Sequence, residues 1–145
     1  VEGIGDHGLE YMTGGKVVIL GDVGQNFGAG MSGGIAYILP TNIEQFKFQC
    51  NTEMIEFEML QNKQEINEVR NLIIKHLEET DSTLALNVLA KWEEMIPRFV
   101  KVVPTDYKVM LQKIEAFKEE GFKTEEATLK AFTAVTTKSK VVVAK

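Results

Sequence analysis

The chain has 145 residues, of which 44% are hydrophobic and 26% charged, a composition that suits one folded domain of ordinary size. Its net charge of -5 disfavours a nucleic-acid surface, and its one cysteine, Cys50, rules out an internal disulfide. Its apolar runs are far shorter than the roughly 18 residues of a membrane-spanning helix, and the start of the chain lacks a basic signal segment. We therefore expect a cytoplasmic protein that binds neither nucleic acid nor membrane.

Glycine and charge divide the chain into two parts. Eleven of the twelve glycines lie in the first 34 residues, and only Gly121 comes later. Residues 1–60 carry two basic and eight acidic side chains, whereas residues 61–145 carry fourteen basic and thirteen acidic ones. This contrast predicts two differently built domains, 1–60 and 61–145.

An internal repeat organises the glycine-rich part. Residues 12–20 align with residues 31–39 at an offset of 19, with five identical positions and one Thr/Ser pair. A period near 20 residues is typical of one coil of a β-solenoid, in which each strand lies parallel to the one before it, about 4.8 Å away. The repeat therefore predicts stacked parallel strands.

Glycines recur where such coils would turn, because a corner requires a positive φ or a close approach of two backbones. We expect eight of them to be structural: Gly14, Gly15, Gly21, Gly24, Gly28, Gly30, Gly33 and Gly34. Two alternating stretches, residues 46–50 and 54–58, predict further short strands.

From Asn62 onward the apolar residues follow the helical period. Two helices are predicted, separated by an N-cap at Asp81-Ser82, and an extended segment follows at residues 98–103. Two more helices are predicted from Thr105 or Asp106 to Gly121, and from Glu125 to about Phe132. The side chains expected to anchor the packing are Trp92, Phe99 and Phe117.

Two short stretches match the sequence patterns of catalytic or nucleotide-binding motifs. Residues 28–33 match GxGxxG, with Glu53 about 20 residues further on, and residues 30–34 match GxSxG around Ser32, with His76 downstream. Both motifs require a helix directly after the glycines, whereas here a copy of the repeated strand follows. We therefore interpret the glycines as turns and Ser32 as a small hydroxyl that bonds nearby backbone.

Other reactive side chains are isolated. His7, His76 and Cys50 show no metal-ligand spacing, so a metal site has little support. Carboxylates among the glycines are interpreted as turn caps through backbone hydrogen bonds: Asp6, Glu10 and Asp22.

Several stretches resemble one family. His7-Gly-Leu-Glu-Tyr-Met-Thr-Gly-Gly15 and Asn26-Phe-Gly-Ala-Gly-Met-Ser-Gly-Gly34 look like the final coils of the GXGXG domain of the glutamate synthase large (alpha) subunit. Residues 66–77 and 98–108 resemble the C-terminal extension of that subunit. The resemblance covers about residues 3–117. It implies a mainly β fold, the terminal coils of a right-handed β-helix, followed by an α-helical extension packed on the end of the β-helix.

The resemblance also implies a parent enzyme, an iron-sulfur flavoprotein that converts glutamine and 2-oxoglutarate to two glutamates in ammonia assimilation. The parent would bind FMN and a [3Fe-4S] cluster. Its glutaminase and FMN-binding synthase domains would be the partners of this segment, and a small NAD(P)H-oxidising subunit or ferredoxin would supply electrons. None of the family's catalytic, cofactor-binding or metal-binding residues matches a position here, so we expect a rigid spacer that is inactive alone.

Two other interpretations stay open at this point. The chain could be a stand-alone GXGXG scaffold or binding subunit of a multi-subunit oxidoreductase, such as formylmethanofuran dehydrogenase. It could also be a small enzyme that uses Ser32 or Asp22, which would require a pocket that brings Ser32, His76 and a carboxylate together.

Overall fold

The computed structural model describes residues 1–121 and 123–143, and side chains as far as Thr133. The chain divides into two compact units, Val1–Pro104 and Thr105–Lys145. The first contains β1 (Thr13–Ile19), β2 (Gly33–Ile38), α1 (Ile43–Gln49), β3 (Ile55–Met59), α2 (Lys63–Thr80), α3 (Thr83–Ala90), α4 (Trp92–Met95), a 3-10 turn (Ile96–Arg98) and β4 (Val100–Pro104). The second contains α5 (Thr105–Glu119) and α6 (Thr124–Val143).

The four strands form one sheet in the order β1-β2-β4-β3. β1 and β2 are parallel, and from Lys16 paired with Ile35 to Ile19 paired with Ile38 the partners are 19 residues apart. This is the offset of the sequence repeat, so the predicted parallel pairing is confirmed. β4 pairs antiparallel with β2 on one side and with β3 on the other.

The prediction of a right-handed β-helix is wrong. A third coil would place another parallel strand beside β2, but β4 occupies that edge and runs antiparallel. In the part of the chain that the structure describes, one mixed four-stranded sheet is accompanied by six helices, so the fold is a small mixed α/β domain. Stacking therefore stops after the two strands of the repeat.

One large hydrophobic cluster lies on one face of this sheet. Ile19, Ala36 and Val102 occupy that face and are fully buried, and they belong to one cluster with Phe27 and Phe46. The rings of Phe27 and Phe46 meet edge to face, with their centroids 5.7 Å apart. The loop between β1 and β2 and helix α1 thus supply the aromatic side chains that cover the sheet.

Residues 46–50 were predicted as a strand, and this prediction is wrong because they lie largely in α1. The side chain of Asn42 accepts a hydrogen bond from the Gln45 backbone N–H at 3.0 Å and caps the helix. Phe46 is 2% exposed whereas Phe48 is 89% exposed, so the alternation of the sequence does not correspond to an inner and an outer face. The other two predicted extended segments are confirmed as β3 and β4.

The later helices agree with the helical pattern. Ser82 caps α3 by accepting from the Ala85 N–H at 3.0 Å, as predicted from Asp81-Ser82. Trp92 and Phe99 are buried with their ring centroids 5.8 Å apart, which confirms them as packing anchors. α6 extends to Val143, well beyond its predicted end near Phe132. Among the described helices, none combines the length and the apolar character that a bilayer crossing requires.

Candidate functional site

Two consecutive passes of the chain, residues 1–20 and 21–39, lie side by side through backbone hydrogen bonds. The N–H groups of His7 and Tyr11 donate to the carbonyls of Gln25 and Ala29, both at 2.8 Å. Further bonds of 2.8–3.0 Å extend this pairing beyond the two strands: Gly28 N to Gly8 O, Ser32 N to Met12 O, and Leu39 N to Ile19 O. The glycine-rich loops are thus paired almost as regularly as the strands.

Several of the predicted structural glycines lie where the two passes touch. A Cβ on Gly33 would be 2.2 Å from the Thr13 carbonyl oxygen, and a Cβ on Gly21 would be 2.2 Å from the Glu2 carbonyl oxygen. Gly15 and its repeat partner Gly34 both have φ of +84°, a conformation that L side chains rarely adopt. The remaining members of the predicted set are Gly24, Gly28 and Gly30, each with a contact within 3.4 Å, and Gly14, with none within 4 Å.

Two carboxylates each bond a residue one repeat length further along the chain. Asp6 accepts a hydrogen bond from the Gln25 backbone N–H at 2.7 Å. Asp22 accepts from both the backbone N–H and the hydroxyl of Thr41, at 2.8 and 3.0 Å. Each carboxylate therefore bonds a residue 19 positions ahead rather than its own turn. They act as structural acceptors, and this use differs from the local turn cap that the sequence suggested.

The structure does not assemble a hydrolase site around Ser32. Ser32 is exposed at the start of β2, and the Nε2 atom of His76 faces the carboxylate of Glu2 at 3.7 Å. The residues that match GxSxG and GxGxxG lead into the strand β2 and not into a helix. A nucleophile elbow and a dinucleotide site both need that helix.

The remaining candidates lie apart from one another. His7 is exposed and lies 3.7 Å from Glu10. Cys50 is half-buried, and its backbone forms an isolated parallel β-bridge with Phe27. Burial raises the pKa of its thiol to about 12. Within the described residues, no group of three or more His, Cys, Asp or Glu side chains could hold a metal ion.

Sequence reasoning missed a charged cluster on the sheet face that α2 covers. The ammonium group of Lys101, in β4, contacts the carboxylates of Glu58 and Glu65, with 3.5 Å to Glu58. Tyr37 lies on the same face, and burial, with Glu65 and Glu68 nearby, raises the pKa of its hydroxyl. These charges join α2 to the sheet. The register of β3 and β4 places Glu58 beside Lys101, and the packing of α2 adds Glu65; the sequence reveals neither arrangement.

A second missed cluster joins the start of the chain to α2 and α3. The carboxylate of Glu2 accepts a hydrogen bond from the Ser82 hydroxyl and lies 3.7 Å from His76 Nε2. The Ser82 bond, aided by His76, lowers the pKa of Glu2. The hydroxyl and the imidazole both approach the same carboxylate oxygen, Oε1. We interpret the cluster as a clamp, that is, a contact that holds Glu2 against His76 of α2 and Ser82 before α3.

An open groove of about 460 Å³ lies between the ends of β1 and β2 and helices α3 and α4. Its lining contains no acidic side chain, no histidine and no cysteine, and its polar side chains are those of Thr41, Asn87, Lys91 and Arg98. The residues that line it are Leu20, Gly21, Leu39, Pro40, Thr41, Leu84, Asn87, Val88, Ala90, Lys91, Met95 and Arg98.

Comparison with known proteins places these features in a family. The model of the GXGXG motif family matches residues 1–105, which include the whole sheet. This chain therefore belongs to the GXGXG family.

Its curated relatives are much longer proteins. The chain is 53% identical over 136 residues to the glutamate synthase [NADPH] large chain of Bacillus subtilis, covering 94% of this chain and 9% of the relative. It is 48% identical over 121 residues to the glutamate synthase [NADH] of Schizosaccharomyces pombe, covering 83% of this chain and 6% of the relative. Thus the chain spans less than a tenth of either relative.

Ferredoxin-dependent relatives match over a shorter part of the chain. The enzyme of Pyropia yezoensis is 44% identical over 104 residues, covering 72% of this chain and 7% of the relative. Other ferredoxin-dependent enzymes match over 104 to 108 residues. The recognition of the family from the glycine-rich motifs is thereby confirmed.

Proposed function

We propose that this segment serves as a structural domain of a glutamate synthase large chain, which forms two glutamates from glutamine and 2-oxoglutarate in the cytoplasm. The observation that carries the proposal is the 53% identity to the Bacillus subtilis large chain over 94% of this segment. Identity at this level extends through both the glycine-rich passes and the helices. The segment would therefore do here what the corresponding part does in that enzyme.

The role within such an enzyme would be that of a rigid spacer between the glutaminase and FMN-binding synthase domains. Stiffness is supported by the paired passes, in which backbone bonds and the Asp6 and Asp22 carboxylates connect residues about 19 positions apart. A stiff spacer would hold fixed the distance over which ammonia passes from one domain to the other.

FMN and the [3Fe-4S] cluster would be bound outside this segment. A cluster requires cysteine thiolates, whereas the one cysteine of this chain, Cys50, has a raised pKa and is held neutral. For FMN phosphate, the glycines would need to open a helix, but they lead into β2. The residues present therefore do not fit either group, and no catalytic step is assigned to this chain.

The proposal can be tested by exchange of segments. The corresponding part of the Bacillus subtilis large chain would be replaced by this chain, or by a flexible Gly/Ser linker of equal length as control. We expect the chimera with this chain to form glutamate from glutamine without releasing free ammonia. The linker chimera should hydrolyse glutamine but leak ammonia. Equal coupling in the two chimeras would refute the spacer role.

A further inference from the structure

The open groove beside α3 and α4 has a largely apolar lining. Leu20 and Leu39, equivalent positions of the repeat, follow β1 and β2 and line the groove together with Val88 of α3. Leu84, one helical turn before Val88, is 37% exposed, and Met95 of α4 is half-buried. A small ligand needs a site that encloses most of its surface, whereas an open apolar groove of about 460 Å³ suits the side chains of a polypeptide segment.

The charged side chains that line this groove are both positive. They are Lys91, which follows α3, and Arg98, which ends the 3-10 turn. Both are exposed, and neither forms an ion pair with any residue that the structure describes. The Nη1 atom of Arg98 donates a hydrogen bond to the Sδ atom of Met95, a weak acceptor, at 3.8 Å. The two cations are therefore available to the carboxylates of a partner.

The charge of this groove is opposite to that of the unit that contains it. Residues 1–104 carry fifteen acidic side chains against eight basic ones. Lys16 and Lys101, two of these cations, each contact at least one carboxylate of the same unit. A second open groove, between α2 and α4, is lined by the acidic Glu93 as well as by cations. The first groove thus combines apolar and basic side chains without an acidic one, and its complement is apolar and acidic.

The source of such a segment follows from the length of the relatives. This chain spans 9% of the Bacillus subtilis large chain, so more than nine tenths of a chain of that length lies outside it. A tethered segment acts at an effective concentration of the order of mM, which favours it over a separate protein. We propose that the groove binds an acidic and apolar segment of the same large chain, whose carboxylates pair with Lys91 and Arg98. This inference rests on the proposed function and adds to it a surface that holds this domain against the rest of the enzyme.

The test uses the full-length large chain that contains this segment. The photo-crosslinking amino acid p-benzoylphenylalanine is placed at Leu84, in the groove, or at Leu86 as the matched control. Leu86 also belongs to α3 and is 54% exposed, but it does not line the groove. After irradiation, mass spectrometry of a protease digest identifies the captured peptide, and denaturing gel electrophoresis shows whether the crosslink joins two chains. We expect position 84, and not position 86, to capture an acidic and apolar stretch of the same chain.

Reversal of the two groove charges tests the role of the cations. We expect the double variant Lys91→Glu/Arg98→Glu to lower the yield of the crosslink at position 84 about tenfold or more, because like charges would then face each other. The control Lys63→Glu/Arg70→Glu makes the same change at two exposed cations of the second groove, and its yield should stay within about twofold. Replacing the acidic residues of the captured stretch by lysine should restore the yield in the Lys91→Glu/Arg98→Glu variant.

The inference is overturned if position 84 captures nothing above the level of position 86, or if it captures a stretch without acidic residues. It is also overturned by a crosslink to a second copy or to another protein, and by an equal loss of yield in the two charge-reversed variants. The crosslink does not depend on catalysis. An unmodified large chain that gives the expected crosslink but forms no glutamate would therefore refute the proposed function and leave the binding groove in place.

Discussion

Gly33 lies directly against the Thr13 carbonyl group, so closely that a Cβ on Gly33 would be 2.2 Å from that oxygen. The two residues are register partners in the parallel pair of β1 and β2, next to an irregularity at Gly14 and Gly15 where the offset changes from 20 to 19 residues. A side chain at position 33 would therefore have to push the two strands apart where their pairing begins.

Replacing Gly33 by alanine should destabilise the first unit through this contact. Because the opposing atom is backbone and cannot rotate away, we expect Gly33→Ala to lower the free energy of unfolding by about 1–3 kcal/mol. The measurement is a urea titration followed by circular dichroism and by the fluorescence of Trp92.

Two neighbouring substitutions serve as controls. A Cβ on Gly14 would meet nothing within 4 Å, and Ser32 is exposed. We therefore expect Gly14→Ala and Ser32→Ala to stay within about 0.5 kcal/mol of the unmodified chain. The repeat makes Gly14 and Gly33 equivalent, but of these two positions only Gly33 has an opposing backbone atom within 4 Å of an added Cβ. Equal midpoints for Gly33→Ala and Gly14→Ala would contradict this account.

The parallel pair of β1 and β2 could be predicted because its two strands are copies of one another. Like residues that recur at a fixed offset stack in register, and the structure pairs Val17 with Ala36 and Ile19 with Ile38 at that offset. The family, too, could be recognised from the glycines. Both signals lie within short stretches of sequence.

The antiparallel partner of β2 could not be predicted in this way. Val102 pairs with Ala36 across 66 residues, and nothing in the segment Val100–Pro104 specifies which strand it will join. The Lys101 cluster depends on the pairing of β3 with β4, and the Glu2 cluster joins residues 80 positions apart, Glu2 and Ser82, so both were missed as well. α1 was misassigned because Phe46 and Phe48 alternate as in a strand, while the capping bond of Asn42 starts a helix.

Lys101 should contribute to stability through its two carboxylate partners. Its side chain is only 13% exposed, and Lys101→Met would remove the ammonium group that contacts the carboxylates of Glu58 and Glu65. We expect Lys101→Met to lower the free energy of unfolding by about 1–3 kcal/mol, less than for a fully buried pair. Lys91→Met, at an exposed lysine, is the control. If Lys101 stabilises the fold by compensating the carboxylate charges, the double variant Lys101→Met/Glu65→Gln should recover part of the lost free energy of unfolding. A double variant as unstable as Lys101→Met alone would argue against charge compensation.

Cys50 should be unreactive in the folded protein. Burial raises the pKa of its thiol to about 12 from an ordinary value of 9.0, so the nucleophilic thiolate is scarce at mildly alkaline pH. At about pH 8 we expect Cys50 to react with an aromatic disulfide reagent at least about a hundredfold more slowly in the folded chain than in concentrated urea. Comparable rates in the two states would show that the thiol is accessible and its pKa unperturbed.

The clamp at Glu2 should make stability depend on pH. The hydrogen bond from Ser82, together with His76, holds the pKa of Glu2 below its ordinary value of 4.5. The folded chain therefore binds fewer protons at this group than the unfolded chain. The stabilisation is complete above the unfolded pKa and is lost as the pH falls through the folded pKa.

Glu2→Gln tests this linkage because the amide cannot titrate. We expect the variant to unfold at lower urea than the unmodified chain at about pH 7, and the difference to shrink steadily below about pH 4.5, as the carboxylate of the unmodified chain becomes protonated. Glu53→Gln, at an exposed carboxylate in the loop before β3, should show no such convergence. Ser82→Ala removes the hydroxyl that lowers the pKa, and in that background the effect of Glu2→Gln should be smaller at neutral pH. A difference between Glu2→Gln and the unmodified chain that stays constant from neutral to acidic pH would show that Glu2 acts by packing alone.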